Sequence, residues 1–277
     1  MRSVVNVMND GQRYVACVEY DGAGYHGWQS LKSGLPTVQQ HVEAALGRVA
    51  NHPVSVVCSG RTDAGVHACR QIIHFDSPAN RVERNWVLGA NACLPDSIAL
   101  RWVRPVTHDF HARFSALARR YRYVIYNTPV RSAILPGKAT WNYRPLNEQL
   151  MAEAARYLVG KHDFTSYRAV QCQARNPVRT IASLDIKRLG DVLVIDIQAN
   201  AFLHHMVRNI AGVLMAIGCG KREPVWAKDV LDARDRRMGG VTAPPHGLYF
   251  VDTIYPARFD LPEDAPGPGF IGPLLNP

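Results

Sequence analysis

Apolar and polar positions alternate along much of the first half of the chain, a pattern typical of half-buried β-strands. The alternating segments are 13–20, 54–60, 71–77 and 98–105. Between the first two, Val38, Val42, Ala45, Leu46 and Val49 recur at the spacing of one helical face, directly after Thr37, which is a suitable N-cap. The pattern predicts these strands, a helix after Thr37 and a second helix near 82–93.

The second half shows the same order of elements. Strands are predicted at 121–127, 180–189, 191–199 and 247–255, and the middle two form a hairpin through Gly190 and Asp191. Helices are predicted at 147–159 and 204–219. The second of these repeats the spacing of apolar residues seen after Thr37, at Met206, Ile210, Val213, Leu214 and Ile217.

Each half therefore follows the order β-α-β-β-α-β, which is that of ferredoxin-like folds. We predict an α+β protein with two related halves, 1–109 and 110–255, and a Pro- and Gly-rich tail, 256–277, of irregular or mobile structure. The halves share a pattern rather than sequence identity. An unrelated α+β arrangement with the same order of elements therefore stays open at this point.

Residues 59–68, SGRTDAGVHA, connect two predicted strands and combine glycines with an ionisable acid. In one interpretation Asp63 only stabilises a tight bend with its own carboxylate, as in an Asx-turn. In the other, Arg61 favours the charged form of Asp63, while Gly60 and Gly65 let the backbone turn sharply or a ligand come close. A charged carboxylate in that setting is a usable nucleophile.

Residues 22–27, GAGYHG, match the G-x-G-x-x-G fingerprint of dinucleotide-binding proteins. That fingerprint requires the glycines to open a helix and an acidic residue to follow about twenty residues later. Here Pro36 delays the helix, and no predicted strand ends in such an acid. We interpret 22–35 as a long aromatic-bearing loop that contacts a ligand, and we expect no nucleotide cofactor.

The segment FLHHMVRNI (202–210) carries a cation at the start of a predicted helix. Arg208 falls in the first turn, where the helix dipole disfavours a positive charge and an anionic partner would offset the cost. An exposed arginine that bends into water is the alternative. His204 and His205 have no third ligand at a suitable spacing in the sequence, so we predict no metal site.

Tyrosines and arginines alternate in RRYRYVIYN (119–127). In a strand, Tyr121 and Tyr123 share one face, and Arg120 and Arg122 share the other. Core packing explains such tyrosines. The alternation also suits a surface that stacks bases and holds phosphates.

The amino-acid composition is basic, and the sequence contains no apolar stretch long enough to span a membrane. The chain has 277 residues and a formal net charge of +9, which favours polyanionic partners, although a basic surface can also serve solubility alone. The six cysteines include no CxxC pair and suit a reducing compartment. The longest apolar stretch, 210–218, is far shorter than the roughly 18 residues of a membrane-spanning helix. With no recognisable signal peptide, we expect a cytoplasmic protein without membrane association.

Six segments together resemble the tRNA pseudouridine synthase A family, whose members isomerise uridines in tRNA. They are YDGAGYHGWQ (20–29), SGRTDAGVHA (59–68), FHARFSALARRYRYVIYN (110–127), GKHDFTSYRA (160–169), FLHHMVRNIAG (202–212) and GLYF (247–250). They follow the family's order over most of the chain up to residue 255 and contain no departure from its motifs.

The resemblance implies that Asp63 is the catalytic aspartate, that Tyr121 stacks on the target base and that Arg208 pairs with Asp63. Leu248 would supply an apolar wall of the same pocket, and Arg61 would contact the substrate. It also implies two α/β halves around a central cleft and a homodimer that grips one tRNA without a cofactor. The implied targets are uridines 38, 39 and 40 of the anticodon arm.

Two other functions stay open from the residues. One is a non-catalytic RNA-binding protein built from paired ferredoxin-like units. The other is a glycosidase, which usually needs two carboxylates facing one bond. The motifs contain no second acid at a suitable position.

Overall fold

The computed structural model describes residues 11–263 and 267–271. Over these residues the chain forms one mixed β-sheet whose helices pack on one face. The strands are β1 Gln12–Tyr20, β2 Val57–Cys58, β3 His67–Ser77, β4 Ile98–Val106, β5 Ala118–Asn127, β6 Thr140–Asn142, β7 Gly160–Asp163, β8 Val178–Leu189, β9 Val192–Ala199 and β10 Leu248–Ile254. The helices are α1 Val38–Ala50, α2 Glu83–Asn91, α3 Glu148–Arg156, α4 Met206–Gly218 and α5 Trp226–Ala233.

Two sets of four strands make up most of the sheet, and both sets have the same strand order. The first set runs β4-β1-β3-β2 and the second runs β10-β5-β9-β8, with antiparallel neighbours in each. The sets meet where β3 pairs with β10 in parallel, at His67 with Tyr249 and Ala68 with Phe250. The predicted α+β fold with two ferredoxin-like halves is confirmed, and the halves share a single continuous sheet.

The predicted helix faces are the ones that pack on the sheet. In α1, Val38, Val42, Ala45 and Leu46 are buried, and in α4 every predicted apolar position is buried. Burial of an aliphatic side chain contributes about 1.5–3 kcal/mol, so these stripes fix both helices over the sheet. Thr37 is the N-cap of α1, as predicted, and its backbone N–H donates to Gln40 Oε1 at 3.2 Å.

Some elements differ from the sequence-based prediction. The strand predicted at 54–60 is only Val57–Cys58, since the Val56 N–H donates to Glu43 Oε1 of α1 at 3.0 Å instead of to a strand. The short strands β6 and β7 and the helix α5 have no counterpart in the prediction. β7 begins at Gly160, where the prediction ended a helix, because a φ of +107° redirects the chain into a pairing with β8.

The described part of the tail lies on the sheet face opposite the helices. Phe259 and Ile271 are buried there, in two separate apolar clusters. Arg70 donates to Pro262 O at 2.5 Å, and Arg122 donates to Gly267 O at 2.8 Å. The described tail residues therefore cover this face of the sheet. Residues 264–266 and 272–277 of the predicted tail lie outside the described residues.

Two further properties concern the cysteines and the helices. All six cysteines are free thiols. The helix α4 is strongly apolar but has only 13 residues. Among the described residues, no helix combines the length and the apolar character that crossing a bilayer requires.

Candidate active site

The loop at 59–66 lies between β2 and β3, at the junction of the two halves. Its turn is closed by backbone groups, because Val66 N donates to Asp63 O at 3.2 Å and Gly65 N donates to Tyr25 O at 3.3 Å. Gly65 has a φ of +77°, a conformation that residues with side chains rarely adopt. The turn therefore closes without the carboxylate of Asp63, which is directed to other partners.

Three side chains from the second half contact that carboxylate. His204 Nε2 lies 3.2 Å from Asp63 Oδ1, and His205 Nε2 lies 3.3 Å from Oδ2. Arg208 Nη1 donates to Oδ2 at 3.3 Å. The Nε of Arg208 donates to Ala243 O at 2.9 Å, which directs the guanidinium toward Asp63. The anionic partner expected for Arg208 is therefore present, and it is a residue 145 positions earlier in the chain.

The two arginines expected near Asp63 differ in position. The Arg208 side chain is 14% exposed and the Asp63 side chain 25%, so their attraction is screened less than in open water. Arg61 is exposed and forms no ion pair with any residue in 11–263 or 267–271. Arg208, with the two histidines, thus takes the role at the carboxylate that the sequence also gave to Arg61.

Tyr121 lies in β5 directly opposite Phe250 of β10. Its ring stacks on Phe250 with centroids 4.8 Å apart, and Phe202 meets it edge-on at 5.0 Å. Burial raises the pKa of the Tyr121 phenol, and the nearby charge of Asp63 acts in the same direction. The hydroxyl therefore stays protonated at neutral pH, and the ring is fixed as a flat platform.

Leu248 is buried two residues before Phe250 in β10, on the same face of the sheet as Tyr121. The aromatic partners Phe202 and Phe250 are absent from the sequence-based set of site residues. Both belong to motifs that carry the family resemblance, and the alternation of Leu248 with Phe250 in a predicted strand is the signal that could have identified the latter.

Residues 20–29 wrap around the loop at 59–66, which explains two of the three glycines of the G-x-G-x-x-G match, Gly22 and Gly27. A Cβ on Gly22 would lie 1.9 Å from Val66 O, and one on Gly27 would lie 2.7 Å from Thr62 O. The segment opens only a three-residue 3₁₀ turn, Gly22–Gly24, rather than the α-helix that a dinucleotide fingerprint needs. These glycines allow backbone to approach backbone beside Asp63.

This close approach predicts that Gly22→Ala will damage the site. The added methyl group must displace Val66, and overpacking of this kind typically costs about 1–3 kcal/mol. We expect a loss of that size in the free energy of unfolding by urea, together with slower turnover of tRNA. Gly24→Ala is the matched control, because a Cβ there meets nothing within 4 Å. Equal behaviour of the two variants would contradict the proposed contact.

Arg120 and Arg122 do not form the phosphate-holding surface that the alternation in 119–127 allowed. Arg120 Nε and Arg122 Nε donate to the two oxygens of Asp196 in β9, at 2.7 and 2.8 Å. Arg122 is fully buried. Both arginines lie on the sheet face opposite Tyr121, where they join strands β5 and β9.

Asp63, His204 and His205 bring one carboxylate and two imidazoles within 4.8 Å of one another. This donor set occurs in zinc sites, and the carboxylate supplies the third ligand type that the local sequence lacks. The guanidinium of Arg208 contacts the same carboxylate oxygen as His205, and its fixed positive charge opposes a divalent cation there. The arrangement is better suited to stabilising negative charge on Asp63.

Comparison with known proteins gives a consistent match over most of the chain. A family profile described as tRNA pseudouridine synthase matches residues 16–115 and 154–256. The tRNA pseudouridine synthase A of Alcanivorax borkumensis is 58% identical over 91% of this chain and 94% of the relative. That of Pseudomonas aeruginosa is 56% identical over 93% of this chain and 90% of the relative.

One solved structure with a low similarity to this chain comes from a multi-protein complex. A crystal structure of a Cbf5-Nop10-Gar1 complex aligns with 85% of this chain and 57% of that chain, at 10% identity and a TM-score of 0.34. The family profile, by contrast, covers the loop around Asp63, both histidines, Arg208 and the strand β10, and Tyr121 lies between its two matched ranges. The chain therefore belongs to the tRNA pseudouridine synthase family, whose members isomerise uridine in tRNA.

Proposed function

We propose that Asp63 is the catalytic aspartate of this isomerase, acting in its charged form, and that the enzyme's targets are uridines 38, 39 and 40 in the anticodon arm of tRNA. The observation that carries the proposal is the contact of Arg208 Nη1 with Asp63 Oδ2 at 3.3 Å, at the junction of the two halves. In this contact the partly buried carboxylate of Asp63 has its negative charge stabilised by the fixed positive charge of Arg208.

The reaction needs few chemical groups. The N1–C1′ glycosidic bond breaks, the uracil turns, and C5 bonds to C1′, while one proton leaves C5 and one joins N1. No atom is added or lost overall. A single carboxylate that attacks the ribose or the base, or removes a sugar proton, is therefore sufficient to start the reaction.

The target base must leave the RNA stack before it can react. Unstacking costs a few kcal/mol, and stacking on an aromatic side chain returns about 1–3 kcal/mol per base. In our proposal Tyr121 provides that platform, supported from behind by Phe250, with which it is stacked. Leu248 adds an apolar wall, and Arg208 helps to hold the flipped nucleotide.

The remaining surface serves binding rather than chemistry. The net charge of +9 favours contact with phosphates, which carries no sequence information by itself. We propose that the exposed Arg61 contacts the substrate RNA beside the loop at 59–66 and that two copies of the chain grip one tRNA. The halves at 1–109 and 110–255 would then each contribute one wall of the cleft.

The position of the target is tested with tRNA transcripts that carry tritium at uracil C5. The wild-type enzyme is expected to release tritium from a transcript with uridine at any of positions 38, 39 and 40. Replacing all three by cytidine should abolish release, because no C5–H bond of a target base remains to be broken. Undiminished release from that transcript would place the target elsewhere in the tRNA.

A further inference from the structure

The isomerisation must remove the proton from C5, and this step needs an acceptor close to the reacting base. Tyr121 is the obvious candidate, since its ring would contact the base. Its phenol is a poor acceptor, however, because burial raises the pKa of Tyr121 and keeps the oxygen protonated at neutral pH. A neutral phenol has little affinity for a further proton.

His205 lies next to the Asp63 carboxylate and has a left-handed backbone conformation. It precedes the first residue of α4 with φ of 60° and ψ of 6°, in the left-handed region that is costly for a residue with a side chain. Such strain persists where surrounding contacts enforce it and often marks functional sites. Here it brings Nε2 to 3.3 Å from Asp63 Oδ2.

We propose that His205 is a catalytic residue whose Nε2 accepts the C5 proton of the isomerised base; this rests on the proposed role of Asp63. Any atom that reacts at the Asp63 carboxylate lies within about one hydrogen-bond length of it. The imidazole, in contact with that carboxylate, therefore reaches the same small volume. The side chain is 24% exposed, so it is partly accessible beside Asp63 without being open to solvent.

The proposed step balances in atoms and electrons. After C5 has bonded to C1′, C5 carries both the ribose and a hydrogen, and a double bond joins N1 to C6. His205 Nε2 takes the proton from C5, and the electron pair of the C5–H bond forms the C5–C6 double bond. The π pair of N1–C6 moves to N1, which takes a proton from solvent. The imidazolium later returns its proton to solvent.

The charges around His205 fit this role before and after the transfer. Burial lowers the pKa of His205, Asp63 acts in the opposite direction, and Arg208, His204 and Arg236 lower it again. A lowered pKa leaves the imidazole neutral at physiological pH and able to accept a proton. Once protonated, the ring lies against the Asp63 carboxylate, which stabilises the positive charge.

His204 is the competing candidate, because its Nε2 lies 3.2 Å from Asp63 Oδ1. Its side chain is more exposed, at 36% against 24% for His205. It also does not share the carboxylate oxygen that Arg208 contacts. We therefore assign the proton to His205 and use the same substitution at His204 to test the choice.

The experiment compares two substrates with the His205→Asn enzyme. Asparagine tolerates the left-handed backbone, so the turn before α4 is retained. With tRNA carrying tritium at uracil C5, release should fall on the order of 10²-fold, the low end for loss of a general base. With tRNA containing 5-fluorouridine, C5 has no proton to lose and the reaction ends after the C5–C1′ bond forms. Consumption of 5-fluorouridine, measured by mass spectrometry of nucleosides, should match the wild type.

Each other outcome decides the question. Equal slowing on both substrates would show that His205 only positions Asp63, and no slowing on either would show that it is not needed; both overturn the proposal. Selective loss of tritium release in His204→Asn, but not in His205→Asn, would assign the proton to His204 instead. Asp63→Asn should stop both reactions, and if it stops neither, the proposed role of Asp63 fails independently of His205.

The wild-type enzyme provides a second test that needs no folded variant. As pH falls, His205 gains a proton and can no longer accept one from C5. Tritium release should therefore decline at a higher pH than consumption of 5-fluorouridine, which depends on Asp63 but not on a C5 proton acceptor. Superimposable pH profiles for the two substrates would overturn the proposal.

Discussion

Asp63→Asn is expected to reduce isomerisation of tRNA by roughly 10⁴-fold or more, the scale seen when a nucleophile or its equivalent is removed. The substitution keeps the size of the side chain, and an amide oxygen can still accept a hydrogen bond from Arg208. The loop at 59–66 should retain its shape, because its turn is closed by backbone bonds from Gly65 and Val66. The loss is therefore expected in kcat, with the affinity for tRNA retained.

The measurement pairs tritium release from C5 with a filter-binding titration of the same tRNA at several salt concentrations. Asp185→Asn is the control, since it removes the same charge from an exposed position on β8. Both variants should bind tRNA as the wild type does, with affinity falling steeply as salt rises. Normal turnover by Asp63→Asn would remove Asp63 from the chemistry, and the carboxylate would then have only a structural role.

Much of the site follows from local chemistry in the sequence. Arg208 in the first turn of a helix favours an anionic partner, and Asp63 in a glycine-bracketed loop favours a cationic one, although an exposed Arg208 and an Asx-turn at Asp63 are the alternatives. These separate preferences are met by one contact between residues 145 positions apart. The sequence predicts a charged partner for Asp63 and for Arg208 separately, but the contact between the two residues depends on the parallel pairing of β3 with β10.

The contacts of His204 and His205 with Asp63 could not be predicted from the residues that neighbour them in the sequence. His204 and His205 are adjacent in sequence and lack a nearby third group, so their spacing indicates no site. The fold provides that group from the other half of the chain, because Asp63 Oδ1 and Oδ2 lie 3.2 and 3.3 Å from the two imidazoles. Contacts across the junction of the halves depend on the order of strands in the sheet, which alternation alone does not determine.

The arginines of β5 show a second limit. A period of two places Arg120 and Arg122 on one face, but it does not state whether that face meets solvent or the rest of the chain. The answer lies in β9, where Asp196 faces the same side and pairs with both guanidinium groups. The tail then covers Arg122, whose Nη1 donates to Gly267 O at 2.8 Å.

This buried network predicts the largest effect on stability. In Asp196→Asn, the fully buried guanidinium of Arg122 loses the negative charge of Asp196, and the partly buried Arg120 loses a bidentate contact with a carboxylate. Breaking a buried ion pair by removing one partner typically costs about 3–5 kcal/mol, because the remaining charge stays desolvated. We expect a decrease of that size in the free energy of unfolding, measured by urea titration with circular dichroism.

Asp232→Asn provides the contrast, since the same charge is removed from the exposed pair of Lys228 and Asp232 in α5. Water and salt screen an exposed pair of this kind, so its loss should change the free energy of unfolding little. If Asp196→Asn cost no more than Asp232→Asn, the Asp196 carboxylate would not be the main electrostatic support of the two guanidinium groups, and this prediction would be wrong. The effect should also extend to the site, because Tyr121 lies between the two arginines in β5 and pairs with Ile197 of β9. Turnover by Asp196→Asn should therefore be lost at a lower temperature than turnover by Asp232→Asn, as the platform for the base unfolds with these strands.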